Sequence, residues 1–270
     1  GHNLAIYLKK KKFDVLTVDN LKINNLAHVK KNIKSKRQKK LYISFIKDRL
    51  ELLKKNKISL KICDATKKNE IFKIFKKFRP NIAIHLAAVS HDNRSNSNPE
   101  EAFENSHRTL FNSLESAKGI KNIHFIYFSS SMVYGNFKKK VANEKDNCNP
   151  IGIYGSLKLS GELLTKSYSN VFGNKYTIVR PSALYGERCI SNRVIQIFLE
   201  NAFQKKKIFI KGDGKEKLDF TYIDDLCSGV FKIIQNQKKS TNQTFNLTFG
   251  SARSINDLRN LIKKKFRNQI

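Results

Sequence analysis

FIYFSSSMVYG, Phe125 to Gly135, followed by YGSLK, Tyr154 to Lys158, decides how the rest of the chain is read. The apolar run from Ile123 to Phe128 has the length and composition of a buried strand. Serines end it, Val-Tyr-Gly turns the chain, and Asn149-Pro150 breaks it again before a helical pattern opens near Tyr154. Tyr154 and Lys158 are four apart, so they share one face of that helix. A lysine ammonium beneath the phenol lowers its pKa, which makes Tyr154 a candidate base near neutral pH. Ser130 or Ser129, from the strand end, is placed to hold a substrate hydroxyl in line. In a chain this rich in lysine the Tyr-x-x-x-Lys spacing carries little weight alone; the order strand, serine run, turn, helix carries it.

Outward from that core, apolar runs of strand length alternate with helical patterns, which indicates a parallel sheet covered by helices on both faces. Strands are expected at 14–19, 59–63, 82–86, 123–128, 176–179 and 220–223. Helices are expected near 1–11, 69–78, 100–118, 154–172, 193–204, 225–235 and 255–266. Segments 187–217 and beyond 240 interrupt the alternation. The chain opens on Gly1 and runs directly into a helix, whereas a dinucleotide-binding unit places a strand and a glycine-rich turn ahead of it. The expectation is that Gly1 is the last glycine of that turn, with the first strand and part of the loop missing. The pattern at 255–266 runs to the end, so an internal fragment is expected.

Fifty-three Lys and Arg against 22 Asp and Glu give a formal charge of +31 over 270 residues. Such a balance fits nucleic acid or an anionic membrane in principle. The lysines are spread along the whole chain and no reader motif accompanies them, so neither partner is expected; the dense run Lys30 to Lys40 reads as a solvated loop. Cys63, Cys148, Cys189 and Cys227 show no close pairing, and no His/Cys cluster has metal-ligand spacing, which points to reduced thiols, a cytoplasmic setting and no metal.

The motifs VDN (Val18 to Asn20), CDAT (Cys63 to Thr66), HLAA (His85 to Ala88), SSSMVYG, YGSLKLSGE (Tyr154 to Glu162), RPSALYG (Arg180 to Gly186) and GDGKEKLDFTYIDD (Gly212 to Asp225) together resemble the extended short-chain dehydrogenase/reductases that act on nucleotide sugars. The resemblance implies an α/β, Rossmann-like doubly wound parallel sheet with a small C-terminal substrate lobe. Residues 1–186, with 218–238 returning, would form the NAD-binding unit, and 187–217 with 239–270 the lobe. It implies catalysis by Ser130, Tyr154 and Lys158. NAD would lie along Gly1, Asp19, Asn20, Asp64, Ala65, Leu86, Ala87, Ala88, Asn105, Ser129, Tyr154, Lys158 and Pro181. Asp19 ends a strand about twenty residues after the glycine turn, where a carboxylate accepts from the adenine ribose and repels a 2'-phosphate, favouring NAD over NADP.

Substrate contacts would come from Ser130, Ser131, Arg193, Lys217 and Arg253, the three cations holding the diphosphate. Arg94 is a candidate for a sugar carboxylate, and His85 reads as a packed strand-end residue. Ser131 and Met132 occupy the positions where sugar 4,6-dehydratases of this family carry Asp and Glu. The implied function is NAD-dependent nucleotide-sugar epimerisation, at C4, with a nucleotide-diphosphate sugar as substrate. A 4,6-dehydratase or a carbonyl/sugar reductase is the alternative, and an NAD-sensing or nucleic-acid-binding protein is the non-enzymatic one. A homodimer is implied through helices 100–118 and 154–172, which carry Phe103, Leu110, Phe111, Leu114, Leu159, Leu163, Leu164 and Val171 beyond a single apolar stripe.

Overall fold

The computed structural model describes residues 1–23, 25–89, 92–137 and 141–266. The described residues form ten strands: β1 (Leu16–Asp19), β2 (Ser59–Ile62), β3 (Ile82–His85), β4 (His124–Phe128), β5 (Lys175–Pro181), β6 (Leu184–Tyr185), β7 (Lys217–Leu218), β8 (Thr221–Tyr222), β9 (Gln243–Leu247) and β10 (Arg253–Ser254). The helices are α1 (His2–Lys10), α2 (Leu26–Asn32), α3 (Lys36–Lys55), α4 (Lys68–Phe78), α5 (Asp92–Ser97), α6 (Pro99–Phe103), α7 (Thr109–Ala117), α8 (Ile153–Phe172), α9 (Val194–Phe203), α10 (Ile223–Gln235), α11 (Gln237–Ser240) and α12 (Ile255–Lys265). A π-helical turn, Glu104–Arg108, joins α6 to α7.

β3, β4, β5 and β9 form the main sheet in that spatial order, every pair parallel. β4 is buried at each position, and its alternation divides the core. Ile126 and Phe128 pack with Leu4 and Leu8 of α1 and with Leu226, Val230 and Ile233 of α10. Phe125 and Tyr127 pack on the opposite face with Leu110 and Leu114 of α7. Burial of each such large side chain contributes about 1.5–3 kcal/mol, so the doubly wound arrangement is held from both faces of one strand. A separate core of Phe198, Ala202, Ile255, Leu258 and Ile262 joins α9 to α12, beside the antiparallel pair β7 and β10.

β1 and β2 pair in parallel as a sheet of their own and make no ladder with β3. A cavity of about 1060 Å³ runs between β1 and β3, lined by Val15, Thr17, Ile82 and Ile84 and, at the C-terminal strand ends, by Asp19 and Leu86. Gly1 is the N-cap of α1.

Three expectations are corrected. The lysine-rich run from Lys30 to Lys40 is not a loop: it enters α2 and the 20-residue α3, capped by Ser35, whose hydroxyl accepts from Gln38 N. Tyr42, Ile46 and Leu53 line the buried face of α3, while its lysines take the solvent face. Segment 220–223 is not a strand of the main sheet; its two central residues form β8, which pairs with β6 outside it. The region after 240 does not belong wholly to the lobe, because β9 lies beside β5 as the last strand of the main sheet. No helix among the described residues is long and apolar enough to cross a membrane.

α8 lies unusually close to β4. A Cβ on Gly161 would fall 2.2 Å from Tyr127 Oη and 3.1 Å from Leu110 Cδ2. Gly161→Ala therefore forces α8 off the sheet, and a loss of about 1–3 kcal/mol in urea unfolding is expected from overpacking. Unchanged stability would show that the contact is slack.

Candidate active site

Two close approaches assemble the site. β4 delivers Ser129 and Ser130 at its C-terminal end, and Ser130 Oγ caps the following single turn of 3₁₀-helix, Ser131–Tyr134, by accepting from Met132 N at 3.2 Å. α8 starts at Ile153 with Tyr154 in its first turn. Gly155 lets that turn press against the serine turn, since a Cβ there would sit 2.7 Å from Met132 O. The Tyr154 phenol is thereby brought beside the Ser130 hydroxyl.

Lys158 lies one turn on and is buried, 5% exposed. Its Nζ donates to Phe128 O at 2.7 Å and stands 5.9 Å from the Tyr154 ring centre and 5.3 Å from that of Tyr127. Burial pulls the ammonium down to about 8, against an opposing pull from Glu162. Burial also dominates at Tyr154, pushing the phenol up; the Ser130 hydrogen bond and the charge of Arg193 oppose it, and Asp92 adds to it. The depressed phenol expected from the sequence is thus corrected: desolvation outweighs the Ser130 hydroxyl and the charge of Arg193 in the chain alone. His85 is buried, stacked on Phe125 and Tyr127, and burial takes its imidazole down to about 3, so it is neutral.

Ser129 is turned away from Ser130. Its Oγ donates to Glu162 Oε1 at 2.5 Å. Glu162 is also gripped by Arg180, Nε to Oε1 at 2.8 Å and Nη2 to Oε2 at 2.6 Å. Arg180 Nη1 donates to Tyr134 Oη at 2.8 Å, and Tyr134 donates to Asn246 Oδ1 of β9. Neither Glu162 nor Asp92 was singled out from the sequence. Glu162 stands in the motif YGSLKLSGE four residues after Lys158, which was the available signal.

The residues expected along the cofactor divide into groups. Gly1, Asp19, Asn20, Ala65, Leu86, Ala87, Ala88 and Asn105 all line the cavity between β1 and β3. Between the two strands it is walled by core side chains such as Leu4, Leu8, Phe125 and Ile234; the residues that fit a dinucleotide are those at the C-terminal strand ends, Asp19, Asn20 and Leu86 to Ala88. Asp19 accepts from Leu21 N at 2.7 Å and Asn20 from Lys22 N at 3.1 Å, which fixes the turn after β1. Asp64 is paired with Lys22 at 2.6 Å. Burial alone would raise its carboxyl, but hydrogen bonds from Lys22 and Thr66 hold it down to about 2. Asn105 donates to Glu101 O within the π-helical turn. Pro181 closes β5.

Of the expected substrate contacts, Ser131 opens the turn after Ser130 and Arg193 caps α9 on the side facing Tyr154. Lys217 and Arg253 lie on the paired strands β7 and β10, flanking Asp257. Arg94 is ion-paired with Glu101.

The sequence matches the NAD-dependent epimerase/dehydratase family over residues 1–248. The chain belongs to that family. It is 32% identical over 251 residues to dTDP-D-glucose 4,6-dehydratase of Dictyostelium discoideum, a match that takes in 87% of this chain and 52% of that one. The chain spans about half the length of the curated relatives it matches. UDP-glucose 4-epimerase of Thermotoga maritima, solved with UDP-glucose, superposes with a TM-score of 0.85 at 24% identity, covering 100% of this chain and 80% of that one. UDP-glucuronic acid 4-epimerase of Bacillus cereus, solved with its UDP-sugar and NAD, gives 0.83 at 24% identity over 98% of this chain and 79% of that one. These two likenesses show the Rossmann-like fold.

Because the Ser129 hydroxyl serves Glu162, Ser129→Ala should lower stability by about 1.5–3 kcal/mol, the usual contribution of a hydrogen bond to a charged group, and leave NAD affinity unchanged in calorimetry. A marked loss of affinity with stability intact would return Ser129 to the cofactor.

Proposed function

We propose that the protein is an NAD-dependent nucleotide-sugar epimerase that inverts C4. The observation that carries this reading is the convergence of Ser130, Tyr154 and Lys158 at the end of β4, with the phenol beside Ser130 and the ammonium one helical turn behind it. Ser130 orients the sugar hydroxyl, and Tyr154 Oη takes its proton and later gives it back. Arg193 is the cation that favours loss of the phenolic proton against the effect of burial, and Lys158 Nζ stands 5.9 Å from the ring centre. NAD, when bound, supplies a hydride acceptor that later returns the hydride, so the overall reaction is redox-neutral. Asp19 and the strand-end segment Leu86 to Ala88 would hold it at the C-terminal ends of β1 and β3. Arg193, Lys217 and Arg253 supply positive charge for a nucleotide diphosphate.

A 4,6-dehydratase is the second reading, favoured by the 32% identity to the Dictyostelium enzyme. Against it stands Met132, 46% exposed beside Ser130, where an acid would be needed to take the C5 proton and assist departure of the C6 hydroxyl. Product analysis on UDP, GDP and dTDP sugars separates the two: an epimer supports the first, a 4-keto-6-deoxy sugar the second. Tyr154→Phe should cut turnover by about 100-fold or more, the usual worth of general acid-base help, with NAD binding retained. A variant keeping its activity would remove Tyr154 as the base.

A cytoplasmic homodimer completes the reading. All four cysteines are free. Leu110 and Leu114 are not available to a partner, since they are buried in the core. Phe103 at 50%, Leu163 at 57% and Val171 at 72% exposure form the outward apolar face of α6 and α8. Light scattering at micromolar concentration should give twice the chain mass, and Leu163→Asp should halve it. A monomer in the parent protein would overturn the assignment.

A further inference from the structure

Among the described residues, three side chains that ionise strongly at neutral pH are buried, and all three belong to one cluster: Lys158 at 5%, Arg180 at 3% and Glu162 at 1% exposure. A buried charge is stable only when paired or richly hydrogen-bonded. Arg180 meets that condition through its two bonds to Glu162 and one to Tyr134. For Lys158 the structure shows a single carbonyl acceptor, Phe128 O. One carbonyl is a weak counterpart for an ammonium held out of water. Glu162 lies one turn further along α8 on the same face, and Ser129 ties its carboxylate to the residue next to Phe128, whose carbonyl accepts from Lys158, so its charge lies near the ammonium without a direct ion pair.

We propose that Glu162 is a positioning residue of the proton-transfer site, the buried counter-ion of Lys158, held in place by Arg180 and Ser129. The three charges sum to one excess positive charge while Tyr154 is protonated. Loss of the phenolic proton brings the cluster to neutrality, so it is arranged to favour the tyrosinate. The groups facing Lys158 agree with this balance. His85 and His107 have imidazoles lowered by burial, Tyr127 is a phenol that burial pushes up, and none of them supplies a second anion. Arg180 anchors the carboxylate to β5, and the Ser129 hydroxyl anchors it to the strand end that carries Ser130.

The inference rests on the proton-transfer reading of Tyr154 and Lys158, but its test needs no substrate. Carbon NMR titration of lysine Cε in the whole chain, with the Lys158 signal identified by its loss in Lys158→Met, should show a midpoint of about 8. Glu162→Asp should retain it, whereas Glu162→Gln should lower it by about one pH unit or more, since an adjacent anion favours the ammonium by that amount. Glu162→Gln leaves Arg180 buried without its carboxylate, so Glu162→Gln/Arg180→Met, which removes both charges, provides a second variant that keeps the cluster free of a stranded ion. A fall in the midpoint in Glu162→Gln, and in the double variant measured against Arg180→Met, supports the counter-ion role; an unchanged midpoint in both comparisons overturns it. Activity surviving Tyr154→Phe would instead remove the epimerase reading while leaving this titration result standing.

Discussion

The ion pair between Glu162 and Arg180 is the constraint on which the arrangement of the site depends. It joins α8 to β5, and through Ser129, Tyr134 and Asn246 it reaches the ends of β4 and β9. Exchange of such a pair for apolar side chains is often neutral in stability, whereas removal of one partner commonly costs about 3–5 kcal/mol. Stability alone therefore does not require the pair. What it adds is direction: two forked bonds set the azimuth of α8 over the sheet, and Tyr154 and Lys158 inherit that azimuth. Gly155 and Gly161 supply the matching closeness, because no side chain intervenes at either contact.

Burial at the site acts on both members of the Tyr154 and Lys158 pair, and in opposite directions. Desolvation disfavours whichever form is charged, so it raises the phenol and lowers the ammonium. In isolation these effects would leave a neutral phenol above a neutral amine, incapable of storing a proton reversibly. Each cation near the phenol and each anion near the ammonium works against that outcome. Arg193 at the start of α9 and Glu162 from α8 are the fixed charges the fold contributes. Proton affinity at Tyr154 is thus set jointly by the sheet, by α8 and by the segment that caps α9.

Much of this was legible in the sequence because it is local. The strand, serine turn and helix around Tyr154 follow from runs of apolar residues, a proline break and a four-residue spacing, and the structure places them within a residue or so of expectation. α3 was not legible because eight lysines and arginines among its twenty residues mask an apolar stripe whose buried members are Tyr42, Ile46 and Leu53, and composition weighed more than spacing. β9 was missed because QTFNL is short and its strand character depends on β5 beside it. The role of Ser129 could not be read locally at all. Two adjacent serines are chemically equal in sequence, and strand alternation alone sends one toward Glu162 and the other toward Tyr154.

The charge distribution separates solubility from chemistry. The formal charge of +31 resides almost wholly in side chains that reach solvent, where ionic screening limits each to a small effect. Lys158 and Arg180 are the exceptions among the described residues, and they are buried together with one carboxylate. A chain with so many lysines could have neutralised the site by crowding it with anions or by leaving it wet. Instead the interior holds a minimal set of ions whose sum falls from one positive charge to zero when Tyr154 ionises. Because the protein interior screens poorly, those few charges govern proton affinity at Tyr154 more strongly than the dozens outside, and the basic surface can vary without disturbing the chemistry.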